Sequence, residues 1–220
     1  MKNTFTTTSA YVENSSGDRL IYPFGPSILQ TEIPDNLRQE LLEEGQKLTK
    51  EQHDASSVLA GNFKKGRSLF YSDDYRKTVE PYFVSKALAY FDILEKQYQS
   101  TSVVPQVCKN LTLDSLWINF SEQFDFNPSH DHNGLISFVL YCDVPPEILK
   151  DQANTNTPLA GKIIFEYGEK ITDFMYNTYT VQPYNNLMLL FPGKLRHQVP
   201  PFWANAVRVS ISGNFSIRAS

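Results

Sequence analysis

The apolar pattern of the chain changes period once, close to position 100. Before that point the periodic segments read as helices. Leu37, Leu41, Leu42 and Leu48 recur at helical spacing, with Glu40, Glu43 and Glu44 turned away. This is the stripe of an amphipathic helix that starts near Pro34-Asp35. A second helix is predicted from about Thr78 to Gln99, with Phe83, Ala87, Tyr90, Phe91 and Leu94 as its core-facing stripe. Residues 1–30 read as irregular or weakly stranded, broken by Pro23, Gly25 and Pro26. Residues 51–75, polar and mixed with Gly61 and Gly66, read as a long loop.

After Ser100 the runs shorten and become β-rich: Leu113–Phe120, Gln123–Phe126, Ile136–Cys142, Lys162–Tyr167, Tyr179–Gln182, Leu187–Phe191 and Val207–Ile217. Turn signals stand between them at Asn127-Pro128, Asn133-Gly134, Pro145-Pro146, Asn185-Asn186 and Pro192-Gly193. Short strands in close succession form a sandwich or barrel. The stretch 147–160, rich in Asn and Thr, reads as a mobile surface loop. The pattern predicts an α+β fold of one domain over 1–220. Its helical part is 1–110 and its β-core 111–220, with the helices buttressing one face of a sheet.

Composition narrows the partners. The 220 residues are 41% hydrophobic and 20% charged, ordinary values for a globular chain. A formal net charge of -4 argues against binding nucleic acid through its phosphates. Two cysteines, Cys108 and Cys142, fit a reducing compartment, and a polar N-terminus without an apolar run predicts a cytoplasmic protein with no membrane span.

Of four histidines, three fall in the β-region. His130 and His132 are two apart, so in an extended chain both imidazoles face one side and Asp131 faces the other. His197 follows the apolar strand and the Pro192-Gly193 turn. Three ligands on one face would leave open positions on a metal, as non-heme iron chemistry requires. Surface or capping histidines would explain a lone His-x-His. The later Arg208-x-Ser210 makes that reading weaker, because the two share a strand face eleven residues beyond His197. A guanidinium with a neighbouring hydroxyl suits the far carboxylate of a dicarboxylic acid.

In the order and spacing of its motifs, the run from Trp117 to the C-terminus resembles the 2-oxoglutarate/iron(II) oxygenase superfamily, in particular a phage and marine bacterial branch similar to prolyl 4-hydroxylases. The motifs are Trp117-Ile-Asn119, His130-Asp-His132-Asn-Gly, Ser137-Phe-Val-Leu-Tyr141, Gly161-Lys-Ile-Ile-Phe165, Leu189-Leu-Phe-Pro192, His197-Gln-Val199 and Arg208-Val-Ser210-Ile-Ser-Gly-Asn214. Leu59-Ala-Gly61-Asn-Phe adds a faint likeness to phage members. The resemblance implies a double-stranded β-helix of the jelly-roll or cupin type. It implies Fe(II) and 2-oxoglutarate as cofactors and O2 with a peptide or small molecule as substrates. His130 and His197 match the first and last iron ligands, Arg208 and Ser210 the pair on the far carboxylate, Tyr141 a further group there, and Asn119 the pocket wall. The superfamily usually carries His-x-Asp or His-x-Glu where this chain has His130-x-His132. Strand parity favours His132 as the third ligand; a bend at His130 would favour Asp131.

The resemblance implies hydroxylation of a C–H bond, with peptidyl proline, a free small molecule or a nucleobase as the acceptor. A three-histidine dioxygenase without 2-oxoglutarate, or a metal-binding module without turnover, are the competing readings. Arg208-x-Ser210 has no obvious use in the first. Trp117, Tyr179, Phe191 and Trp203 are aromatics available for the pocket walls, with core packing as their default role, and Trp203, in the Pro200–Ala206 loop beside His197, stands out among them.

Overall fold

The computed structural model describes residues 11–13, 17–21, 25–61, 66–98, 110–154, 156–169 and 177–217; Pro23, Asn62-Phe63 and Cys108 lie outside them. In chain order the described elements are strands β1 (Tyr11–Glu13), β2 (Arg19–Ile21) and β3 (Ile28–Glu32), helices α1 (Asp35–Gln46) and α2 (Lys50–His53), strand β4 (Ser68–Phe70) and helix α3 (Asp73–Tyr98). There follow β5 (Leu111–Ser121), β6 (Asn127–His130), β7 (Ile136–Asp143), helix α4 (Pro146–Asn154), β8 (Ile163–Glu166), β9 (Thr178–Val181), β10 (Leu187–Pro192), β11 (Arg196–Val199) and β12 (Arg208–Ile217).

The strands form two antiparallel sheets, one ordered β1-β2-β3-β10-β7-β12-β5-β4 and the other β6-β11-β8-β9. This is the α+β double-stranded β-helix that the sequence predicts. Alternation along each strand decides what each face of the larger sheet touches. On β7, Ile136, Phe138, Leu140 and Cys142 join the cluster that includes Leu41 of α1 and Phe83, Ala87 and Tyr90 of α3. Val139 and Tyr141 face the other way, into the cluster between the sheets with Phe165, Leu189 and Phe191. The buttress is specific: the rings of Phe83 and Phe138 stack with centroids 4.6 Å apart, and Arg38 of α1 donates from Nη1 to the Cys142 carbonyl at 2.8 Å. Strand β10 is apolar throughout because both its faces are covered.

Five local expectations are corrected. Residues 51–75 are not one loop, since they hold α2, β4 and the start of α3; β4 is a three-residue edge strand paired with β5, too short to show alternation. Helix α3 begins at Asp73 and runs through Pro81. Proline favours the first helical turn, which draws the predicted start downstream, whereas Asp73 and Asp74 suit the positive end of the helix dipole. The predicted strand at Gln123–Phe126 is a turn with Phe124 at φ 70, and the predicted turn at Asn127-Pro128 opens β6. As the edge of its sheet, β6 tolerates a proline that donates no ladder bond. Finally, 147–160 carries α4 rather than a surface loop. Pro146 takes its first position, and Ile148 is its one buried apolar anchor, against Ala160 and Phe202.

A three-histidine cluster and a buried arginine in one cavity

His130 ends β6 and lies directly opposite His197 of β11. His132 stands two residues further on, where its backbone N–H reaches the Gly193 carbonyl at 2.8 Å. That bond prolongs the extended path beyond β6, so His132 shares the side of His130. The ring centroids of His130 and His197 are 4.3 Å apart, those of His132 and His197 5.0 Å, and those of His130 and His132 5.2 Å. One ligand nitrogen from each lies within 4.8 Å of the others. His132 Nε2 and His197 Nε2 are 3.2 Å apart, close to the ~3 Å between neighbouring ligands that each sit ~2.1 Å from one ion.

The remaining ring atoms orient the cluster. His130 Nδ1 faces the Pro128 carbonyl at 2.8 Å and His197 Nδ1 the Leu195 carbonyl at 3.0 Å. A carbonyl only accepts, so each Nδ1 carries a proton and Nε2 is the nitrogen left to face a metal. Burial first, and the neighbouring His130 second, pull His197 down to about 3 and His132 down to about 4. Both are neutral at physiological pH, the form that binds metal. Asp131 turns outward and pairs with Lys194 at 3.0 Å. The structure thus brings His130, His132 and His197 together and leaves Asp131 apart.

The cluster opens into a cavity of about 270 Å³ lined by Trp117, Asn119, Tyr141, Arg208, Ser210 and Asn214 among others. These residues come from the inner faces of β5, β7 and β12, where register sets Ser210 against Asn119 on one side and Tyr141 on the other. Asn119 accepts from Ser68 Oγ at 2.8 Å, which fixes it in the wall. Arg208 is 4% exposed and Ser210 5%. Arg208 donates from Nη1 to the Gly161 carbonyl at 2.7 Å and, at 3.4 Å, from Nη2 to Ser121 Oγ. Its Nε is buried with no partner. Burial lowers the pKa of Arg208, while Tyr141 and Asp125 raise it; a guanidinium keeps its charge regardless. Burial also pushes Tyr141 up to about 12, so its phenol remains a donor.

Several residues of the site have roles that neither residue type nor spacing assigns. Val58, Leu59 and Ala60 line the cavity from the connection after α2, and Asn127 holds them by donating to the Ala60 carbonyl at 2.7 Å. Gly161 and Ser121 hold Arg208, and Asn214 hydrogen-bonds the His132 ring. Only the fold makes these pairs neighbours. Trp203, expected near the site, is not among the cavity-lining residues; it is 40% exposed and packs edge-on against Phe124.

Residues 115–214 match the family described as putative 2OG-Fe(II) oxygenase. The match contains the three histidines, Arg208 and Ser210. Among solved structures, the chain is similar to a prolyl-4-hydroxylase from Pseudomonas putida, with 12% identity and a TM-score of 0.53 over 87% of this chain and 93% of that one. It is similar to a viral collagen prolyl hydroxylase from Paramecium Bursaria Chlorella virus-1, solved with 2OG, at 8% identity, TM-score 0.51 and coverage of 86% and 94%. It is also similar to SnoN, a non-heme alpha ketoglutarate dependent epimerase from nogalamycin biosynthesis, at 12% identity, TM-score 0.53 and coverage of 86% and 78%. No curated protein matches the chain by sequence.

Proposed function

We propose that this chain is a 2OG-Fe(II) oxygenase that hydroxylates a C–H bond, holding its iron with His130, His132 and His197 and the far carboxylate of 2-oxoglutarate with Arg208, Ser210 and Tyr141. The observation that carries the reading is the pairing of two features in one cavity: three imidazoles whose ligand atoms converge within 4.8 Å, and a buried guanidinium that keeps an unpartnered N–H. Both are costly without a ligand. A buried donor or acceptor left unpaired costs about 1–3 kcal/mol. A metal ion and a dicarboxylate relieve both, so the donor set fits the two cofactors.

Bound iron with 2-oxoglutarate and O2 supplies the oxidising equivalent, and the cosubstrate leaves as succinate and carbon dioxide. The chain's own residues do the positioning. Leu195 and Pro128 carbonyls orient the rings of His197 and His130, Phe165 and Phe191 pack against His197 and Trp117 against His132, and Arg208, Ser210 and Tyr141 orient the dicarboxylate. Asn119 lines the same wall. The reading takes residues 1–220 as one oxygenase unit, supported by β3 and β4 pairing with β10 and β5.

For the substrate we favour a peptidyl proline. Two similar structures are a prolyl-4-hydroxylase and a collagen prolyl hydroxylase. A cavity of about 270 Å³ is near the small end of ligand pockets; once it holds the cosubstrate, only a side-chain-sized group of the substrate enters. The rim at Val58, Leu59 and Ala60 is apolar, as a pyrrolidine ring requires.

Arg208→Ala tests the reading. Losing a charge-assisted partner in a desolvated site should weaken 2-oxoglutarate binding by about 2–5 kcal/mol and leave iron binding intact. Unchanged cosubstrate affinity would remove Arg208 from the role. Proline peptides incubated with the wild type, iron, 2-oxoglutarate and O2 should gain one oxygen by mass; cosubstrate turnover with no such gain would point to another acceptor.

A further inference from the structure

A guanidinium can offer a carboxylate either its two terminal nitrogens or its Nε/Nη2 edge, and something must choose between them. In Arg208 the Nη1 end is taken by the Gly161 carbonyl at 2.7 Å. Its Nη2 makes only a 3.4 Å contact to Ser121, and Nε has no partner. Tyr141 and Phe202 each place a ring with its centroid 5.9 Å from the guanidinium carbon. The side chain is therefore tethered at one end and walled by aromatic rings, with the Nε/Nη2 edge left for a ligand.

The tether depends on an unusual peptide. Gly161 has φ +68, the left-handed region that L side chains rarely adopt, and a Cβ there would meet Ile148 Cγ2 at 2.9 Å. Helix α4 supplies that neighbour. It also holds the preceding residue, since Gln152 donates to the Ala160 carbonyl at 2.6 Å. Gly161 N–H is bonded to the Pro200 carbonyl at 3.1 Å, and Ile148, Ala160 and Phe202 pack as a separate apolar cluster.

We propose that Gly161 is a positioning residue for the cosubstrate: its carbonyl, held by helix α4, locks Arg208 so that the Nε/Nη2 edge meets the far carboxylate of 2-oxoglutarate side-on. This rests on the reading of Arg208 given above. It adds that the geometry of the clamp is set by a backbone group outside the cavity, and that α4 belongs to cosubstrate binding although it touches no ligand.

The test is an anaerobic titration of Fe(II)-loaded enzyme with 2-oxoglutarate and, separately, with pyruvate. Pyruvate has the same metal-chelating 2-oxo acid and no far carboxylate. Gly161→Ala should raise the dissociation constant for 2-oxoglutarate at least about tenfold, equivalent to about 1.4 kcal/mol, with pyruvate and iron binding unchanged. Gln152→Ala, which removes only the tie between α4 and residue 160, should raise it a few-fold. Gly168→Ala controls for strain alone, because Gly168 has φ +70 and open space where its Cβ would go; it should leave both ligands unaffected. Equal loss of 2-oxoglutarate and pyruvate, or unchanged 2-oxoglutarate affinity in both Gly161→Ala and Gln152→Ala, would overturn the proposal. Should Gly161→Ala fail to fold, Gln152→Ala decides alone, selective weakening supporting the tether and wild-type affinity overturning it. Arg208→Ala separates the two levels. If it too binds 2-oxoglutarate normally, the assignment of Arg208 fails; if it alone loses binding, only the tether fails.

Discussion

Adjacent residues of an extended segment face opposite ways, and the pair Asp131 and His132 shows the consequence at a single peptide. His132 stacks over Trp117 with centroids 5.8 Å apart and joins the other two histidines. Asp131, one residue earlier, reaches solvent and Lys194. If the three imidazoles are the ligands, His132→Ala should cost iron affinity more than the ~10–100-fold typical of losing a mere outer-shell partner, while Asp131→Ala should leave it nearly intact. His132→Asp should keep iron, because a carboxylate there restores the common two-histidine, one-carboxylate set. Metal content after anaerobic reconstitution and desalting reads all three. The reverse order, with Asp131→Ala losing the metal, would mean that the backbone turns at His130 when iron binds. This much of the site was legible in the sequence, because parity is a local property. Its holders were not. Gly161, Ser121 and Asn214 act through contacts that span many residues of chain, and no spacing rule announces them.

At the scale of elements, the turn between β10 and β11 aligns the site. Gly193 accepts from the His132 N–H at 2.8 Å and donates to the Leu135 carbonyl at 3.1 Å. A Cβ on Gly193 would lie 2.0 Å from the Gly134 carbonyl oxygen, and backbone there cannot swing aside as a flexible side chain would. Gly193→Ala should therefore destabilise the fold by about 1–3 kcal/mol, the usual cost of overpacking, and weaken iron binding by displacing His132. Thermal melting and a metal titration together check it; a variant with lower stability and wild-type iron affinity would show that the turn supports the fold without aligning the site. The elements that the sequence disclosed were α1, with its helical period, and the β-rich runs that form β7, β10 and β12, strands of six residues or more. Those it concealed were short or anchored by few residues. Strand β4 spans three residues, β11 four, and α4 has Ile148 as its one buried apolar residue. Strand β6 begins with Asn127-Pro128, a sequence that reads as a turn unless the segment is known to be an edge.

For the molecule as a whole, the two sheets enclose the cavity between them and the helices stiffen the larger sheet from outside. No described helix is long and apolar enough to cross a membrane. A ligand that binds only the folded state stabilises it by mass action, by about 2.7 kcal/mol at one hundred times its dissociation constant. For a chain of this size that is a rise in melting temperature of roughly 5–10 °C. Fe(II) and 2-oxoglutarate together should produce it, and Fe(II) with Arg208→Ala should produce only the part due to the metal. One cavity that holds iron on three histidines and the cosubstrate on Arg208 has a signature in anaerobic absorption spectroscopy. A metal-to-ligand charge-transfer band should appear only when Fe(II) and 2-oxoglutarate are both present, should be absent in His132→Ala, and should need far more 2-oxoglutarate in Arg208→Ala. No band in the wild type, or a band of undiminished strength in His132→Ala, would contradict it.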